Sequence, residues 1–180
     1  MRSTSTALLL LAVFASSACG QQRAETGPIV TSGGPVFIVE DPTFETPMDR
    51  DLKAIFELRT APDDLSRPQQ QVGTMARYLN MHAKNGVPRE NVRVAGVVHG
   101  SAVWAVLTDE NHRERHGIDN PNRAMIEEII ASGGQVILCG QSAAARQIER
   151  DDLLPGVQVA MSAMTALTVL QQDGYQIILW

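Results

Sequence analysis

The stretch Gln135-Val136-Ile137-Leu138-Cys139-Gly140-Gln141-Ser142-Ala143-Ala144-Ala145-Arg146 decides the fold. Its first part is an apolar run of strand length, and its second is rich in Ala, the strongest helix former. A strand that turns through Gly140 straight into a helix puts Cys139 at the helix start. Unpaired backbone N–H groups and the helix dipole at such a place favour a thiolate. The position equally suits a small buried hydrophobe, because free Cys is among the most buried residue types. Both readings of Cys139 stay open at this point.

Working outward, strands and helices alternate on both sides. Leu52 to Leu58 reads as a first strand. A helix from Pro68 to Lys84 follows, with Val72, Met75, Ala76, Leu79 and Ala83 on one face and Gly86 behind it. Val92 to Val98 is a second strand, finishing in His99-Gly100-Ser101. A short helix around Ala102 to Leu107 and a polar loop through His112 and His116 lead to Asn120-Pro121. There Asn suits a helix cap and Pro the first turn. Met125, Ile126, Ile129 and Ile130 give that helix a buried stripe, and Gly133-Gly134 stops it. Beyond Cys139, Val157 to Met161 forms a fourth strand and Ser162 caps a helix carrying Met164, Leu167, Val169 and Leu170. Tyr175 to Leu179 is a last strand. Five short apolar strands separated by helices predict an α/β protein, a parallel sheet covered on both faces with right-handed crossovers.

The N-terminal segment reads differently. Arg2, the short apolar core Ala7 to Phe14 and the small residues before Cys19 have the order of a bacterial export signal over residues 1–19. Cleavage near Ala18 is one route. Lipid modification of Cys19 is the other, since the run resembles a lipobox with Ser16 where Leu usually stands. The expected location is periplasmic, or lipid-anchored to the bacterial membrane. Either route leaves Cys139 as the one thiol of a two-cysteine chain, so the core must hold without a disulfide. About 160 residues remain, enough for one domain. Residues 20–48 are spaced by Pro and Gly and read as an extended arm. Its Val36, Phe37, Ile38, Val39 and Phe44 call for apolar cover along the domain or across a subunit interface. Against 20 acidic residues stand 15 Lys and Arg, which gives no electrostatic footprint for nucleic acid. No later run is long enough to span a membrane.

Ligands of an open parallel sheet bind outside the carboxyl ends of its strands. His99, Cys139 and Ser162 occupy such ends. A His beside a Cys can stabilise a thiolate, the ingredient of sulfur carriers and thiol nucleophiles. The plain alternatives are a polar strand end for His99 and a helix cap for Ser162. His99-Gly100-Ser101 resembles an oxyanion-hole loop, but no Gly-x-Ser-x-Gly elbow accompanies it. No orienting acid can be named for a hydrolase, and no oxidoreductase motif is present. There is no Walker or Gly-rich phosphate motif, so no nucleotide or other cofactor is called for. His112 and His116 enclose Arg113, Glu114 and Arg115, which reads as a solvated segment and not as a metal site.

Several linked motifs resemble one family. Val97-Val98-His99-Gly100, Asn120-Pro121-Asn122 and Leu138-Cys139-Gly140-Gln141-Ser142 are similar to the DsrE/DsrF-like family. So are Leu154-Pro155-Gly156-Val157, Ser162-Ala163-Met164-Thr165-Ala166-Leu167 and Leu170-Gln171-Gln172-Asp173-Gly174-Tyr175, closest to its exported members. The resemblance spans residues 49–180. It implies a three-layer α/β/α domain with a five-stranded, mainly parallel sheet that associates into homo-oligomers. It further implies that Cys139 carries persulfide or another sulfane sulfur and passes it to a donor or acceptor partner. His99 would then be auxiliary, and Gly100, Gly140, Gln141, Ser142 and Ser162 would line the site. The competing expectation is a non-catalytic module that binds a small molecule or protein at the same rim.

Overall fold

The computed structural model describes residues 23–179. The export segment and Cys19 therefore lie outside the described residues. Five strands, β1 Leu52–Leu58, β2 Val92–Val98, β3 Gln135–Cys139, β4 Gln158–Ala160 and β5 Gln176–Ile178, form one sheet in the order β4-β3-β2-β1-β5. Every pairing is parallel. The central strands are mostly buried on both faces, which is why apolar residues dominate them, with charges only at Lys53, Glu57 and Arg93 away from their middles. The two edge strands are three residues each, and so short an edge offers little to pair with. β1 and β2 have the bounds expected from their sequence. β4 and β5 are shorter than their apolar runs, because each has a neighbour on one side only.

The layers follow from the crossovers. β1, β2, β3 and β4 step across the sheet in one direction, with helices α1 (Gln70–Lys84) and α3 (Arg123–Ala131) between them. Helix α5 (Ala163–Gln172) carries the chain back from one edge to the other, so a right-handed crossover places it on the opposite face. Val72, Met75, Ala76 and Leu79 of α1 and Met125, Ile126 and Ile129 of α3 pack over Phe56, Leu58, Val94, Val98, Val136 and Leu138. Ala163, Ala166 and Leu170 of α5 pack over Ile55, Ala95, Val97, Ile137 and Cys139. The result is a three-layer α/β/α domain whose second face rests on a single long helix.

Three local expectations change. The segment expected to be a polar loop is helix α2 (Asp109–His116). Thr108 caps it by accepting from the Asn111 N–H at 3.3 Å, acids fill its first turn, and Gly117 ends it with a φ of 78°. His112 is buried within it, and its Nδ1–H donates to the Ile118 carbonyl at 2.8 Å. The short helix after β2 is a 3-10 segment, Gly100–Val106. Asn120 does not cap α3. Its amide donates to the carbonyls of Ala105 (2.9 Å) and Leu107 (2.6 Å) and accepts from the Asn122 N–H (2.9 Å). Asn120 thus ties the 3-10 segment to the start of α3, and Pro121 precedes the helix.

The arm is anchored by one buried amide. Asn80 on α1 accepts from the N–H groups of Ile29 and Val30 and donates to the carbonyls of Val30, Gly33 and Gly34, all within 2.8–3.1 Å. Glu128 on α3 accepts from the backbone and hydroxyls of Thr31 and Ser32. Gly34 has a φ of 64°, and a Cβ there would lie 2.4 Å from the Arg77 nitrogen, so only glycine fits this approach. Val30 and Val36 are buried by these contacts, whereas Phe37, Ile38, Val39 and Phe44 stay exposed on the single chain.

Candidate functional site

Cys139 ends β3 and stands at the cap position of α4 (Gly140–Ala144). The turn is tight because β4 runs alongside: a Cβ on Gly140 would lie 2.7 Å from the Ala160 carbonyl oxygen. Cys139 is 5% exposed, and its side chain faces the α5 layer. Burial pushes the thiol pKa up. Hydrogen bonds from the backbone and hydroxyl of Ser142 and from the N–H groups of Ala163 and Gln141 outweigh that and hold it below the ordinary thiol range. Donors therefore reach the sulfur from two helix starts, α4 and α5. Ser162 caps α5 by accepting from the Thr165 N–H at 3.0 Å, and so sets the Ala163 N–H that follows it. Gln141 contributes its N–H to the sulfur, while its side chain reaches toward the Met161 carbonyl at 3.4 Å.

Ser142 joins two strand ends. Its Oγ accepts from the Gly100 N–H at 3.2 Å, and its hydroxyl helps to hold the Cys139 thiol pKa down. Accepting from Gly100 leaves the hydroxyl hydrogen free to point at the sulfur, so the loop after β2 orients the donor. Gly100 can do this because it adopts a φ of 60°, and a Cβ would meet the Arg59 carbonyl at 2.4 Å.

His99 continues β2 in extended conformation, its N–H donating to the Leu58 carbonyl at 2.8 Å. Val98 pairs with Leu138, so His99 is next in register to Cys139. Alternation along the strands sets His99 on the face of Val97, and Cys139 on the same face. The two residues therefore share one rim and one face. The hydrogen bond of the imidazole runs to the other neighbour: Nε2 meets Glu57 Oε1 on β1 at 2.8 Å.

Glu57 is the functional group that reading the sequence missed. The signal was there, since a carboxylate two residues beyond Ile55 in an apolar strand must share the Ile55 face. The paired histidines of α2 lie elsewhere. His116 meets the Trp104 ring edge to face and the His112 ring at a tilt, each at 4.9 Å between ring centres, and burial pushes its pKa down. Among the described residues no cluster of three or more His, Cys, Asp or Glu could hold a metal ion.

An all-parallel sheet of five strands, helices on both faces and a hydrogen-bonded thiol at its carboxyl rim define a three-layer α/β/α protein of the thiol-bearing kind. The chain belongs to the DsrE/DsrF-like family, whose sequence profile matches residues 55–180. Protein MTH1491 from Methanobacterium thermoautotrophicum, a protein of unknown function, has a similar structure. It is 21% identical, with a TM-score of 0.52 over 71% of this chain and 98% of its own. The ychN protein from E. coli is 17% identical, with a TM-score of 0.49 over 71% of this chain and 99% of its own. No curated protein matches the chain.

Proposed function

We propose that this protein carries sulfur on Cys139 as a persulfide and hands it to a thiol on a partner. The observation that carries the reading is the place of Cys139, at the cap of α4 and against the start of α5, where its thiol pKa is held below the ordinary range. A sulfur carrier needs its cysteine as an anion twice: to take up sulfane sulfur, and to leave when that sulfur departs. Donors fixed by two helix starts and by Ser142 supply that stabilisation without rearrangement. Membership of the family, in which sulfur relay occurs, supports the same reading. The test is mass spectrometry after brief polysulfide exposure. Wild type should gain the mass of one sulfur atom, removable by dithiothreitol, and Cys139→Ser should gain none. A wild-type protein left unmodified would overturn the reading.

In this proposal the chain works outside the cytoplasm, released or lipid-anchored at Cys19 as its N-terminal sequence suggests. It works as a homo-oligomer in which a second copy covers Phe37, Ile38, Val39 and Phe44, apolar residues that a single chain leaves in solvent.

A further inference from the structure

We infer that Glu57 holds His99 as the base that takes the proton from a thiol attacking sulfur carried on Cys139. The inference rests on the sulfur-carrying reading and adds to it a base and a positioning residue. A carboxylate can only accept, so the 2.8 Å contact with Glu57 Oε1 places a hydrogen on His99 Nε2. The neutral ring then offers Nδ1 as its basic nitrogen, and Nδ1 has no hydrogen-bond partner among the described residues. Register sets His99 beside Cys139 on the next strand, about one strand spacing (~4.8 Å) away, on the same face. The side chain is 22% exposed, enough for an incoming thiol to meet it, whereas the cysteine itself is nearly enclosed.

Few charges surround the imidazole. Glu57 faces it from β1, Arg59 follows β1 and passes Gly100, and Cys139 lies on β3. Helices α4 and α5, which close this rim, contain no charged residue from Gly140 to Ala144 or from Ala163 to Gln172. Among the described residues Glu57 is thus the one carboxylate that touches the ring, which singles it out as the residue orienting it.

The step balances without an external oxidant. The acceptor R–SH gives its proton to His99 Nδ1 while its sulfur attacks the outer sulfur of Cys139–S–SH. The S–S bond breaks, R–S–SH leaves, and the electron pair stays on Cys139 as a thiolate received by Gln141, Ser142 and Ala163. The imidazolium then returns its proton to solvent.

The experiment compares wild type, Glu57→Gln and His99→Ala, each loaded with sulfur to an equal level checked by mass. Transfer to a small thiol is then timed from about pH 5.5 to about pH 9. His99→Ala should transfer about 100-fold more slowly at neutral pH, the usual loss on removing a general base. Its rate should follow the acceptor's own thiolate fraction. Glu57→Gln should lose at least about tenfold, with the same change of profile, because its amide no longer fixes the tautomer. A merely structural ion pair would leave the profile in place. If wild type takes up no sulfur, the sulfur reading fails, and the base is tested on the Cys139–glutathione mixed disulfide. Release of that disulfide by the same thiol involves the same proton transfer. Glu57→Gln and His99→Ala profiles that superimpose on wild type, in whichever adduct forms, would overturn the inference. So would a wild-type Cys139 that forms neither adduct.

Discussion

Replacing Ser142 with Ala tests how the thiolate is held. The Ser142 hydroxyl accepts from Gly100 and helps to lower the Cys139 pKa, so the substitution removes that contribution and leaves those of the Gln141, Ser142 and Ala163 backbone in place. A hydrogen bond to a charged group is worth about 1.5–3 kcal/mol, and about 1.4 kcal/mol corresponds to one pKa unit. The cysteine is almost fully enclosed, so solvent replaces little of the loss. The Cys139 pKa should therefore rise. Alkylation by iodoacetamide, followed by intact mass across pH, reads the shift directly. Well below the pKa the rate should fall about 10- to 100-fold, in proportion to thiolate. The loop after β2 should also loosen, because the Gly100 N–H loses its acceptor. An alkylation profile that superimposes on wild type would refute the reasoning, since the hydroxyl would then be pointing elsewhere.

Other expectations follow from the same contacts. Asn80→Ala should cost about 2–4 kcal/mol in urea unfolding, because it strands the buried Val30 N–H and carbonyl together with the carbonyls of Gly33 and Gly34; a loss under about 1 kcal/mol would mean water replaces the amide. Gly100→Ala should lower stability by about 1–3 kcal/mol through its positive φ and its clash with Arg59, and should raise the Cys139 pKa as Ser142 loses its orienting donor. The folded state holds the Cys139 pKa below the unfolded value, so its contribution is fully present above the unfolded thiol value and is lost as pH falls through the folded one. The stability difference between wild type and Cys139→Ser should accordingly grow with rising pH across that window, and a flat difference in pH-resolved urea melts would contradict it. Light scattering at micromolar concentration should show a homo-oligomer that Phe37→Ser with Val39→Ser dissociates; a wild-type monomer would remove the proposed role of the arm.

Much of the architecture was legible because parallel sheets write themselves plainly. Strands buried on both faces are dominated by apolar residues, so β1 and β2 could be bounded to the residue. Helix α2 escaped because no apolar stripe marks it: its cues are the Thr108 cap and Gly117, and a single residue, His112, reaches the interior. Asn120 was misread for a related reason. Asn before Pro is a good helix start locally, yet its amide serves two carbonyls more than ten residues back, a tertiary contact that local pattern does not encode. At the rim, Cys139, His99 and Ser162 could be placed from strand ends alone, whereas Ser142 entered only with the family resemblance. Glu57 required the register between β1 and β2, and the division of the arm into buried Val36 and exposed Phe37 required the Asn80 anchor.

The two faces of the sheet carry different burdens. Helices α1 and α3 and most of the apolar interior secure one side, while Glu57, His99 and Cys139 all project from the other, beneath or beside α5. Each of these three is flanked in sequence by residues rooted in the heavier layer, such as Phe56, Leu58, Val98 and Leu138. The rim can consequently be rewritten by substitution while the strands beneath it stay clamped. Descendants of one ancestor can drift to inert or altered rims at little cost in foldedness. In a lineage built this way, kinship of shape outlives kinship of chemistry, and the three rim side chains, more than the sheet that presents them, are where a change of trade would be recorded.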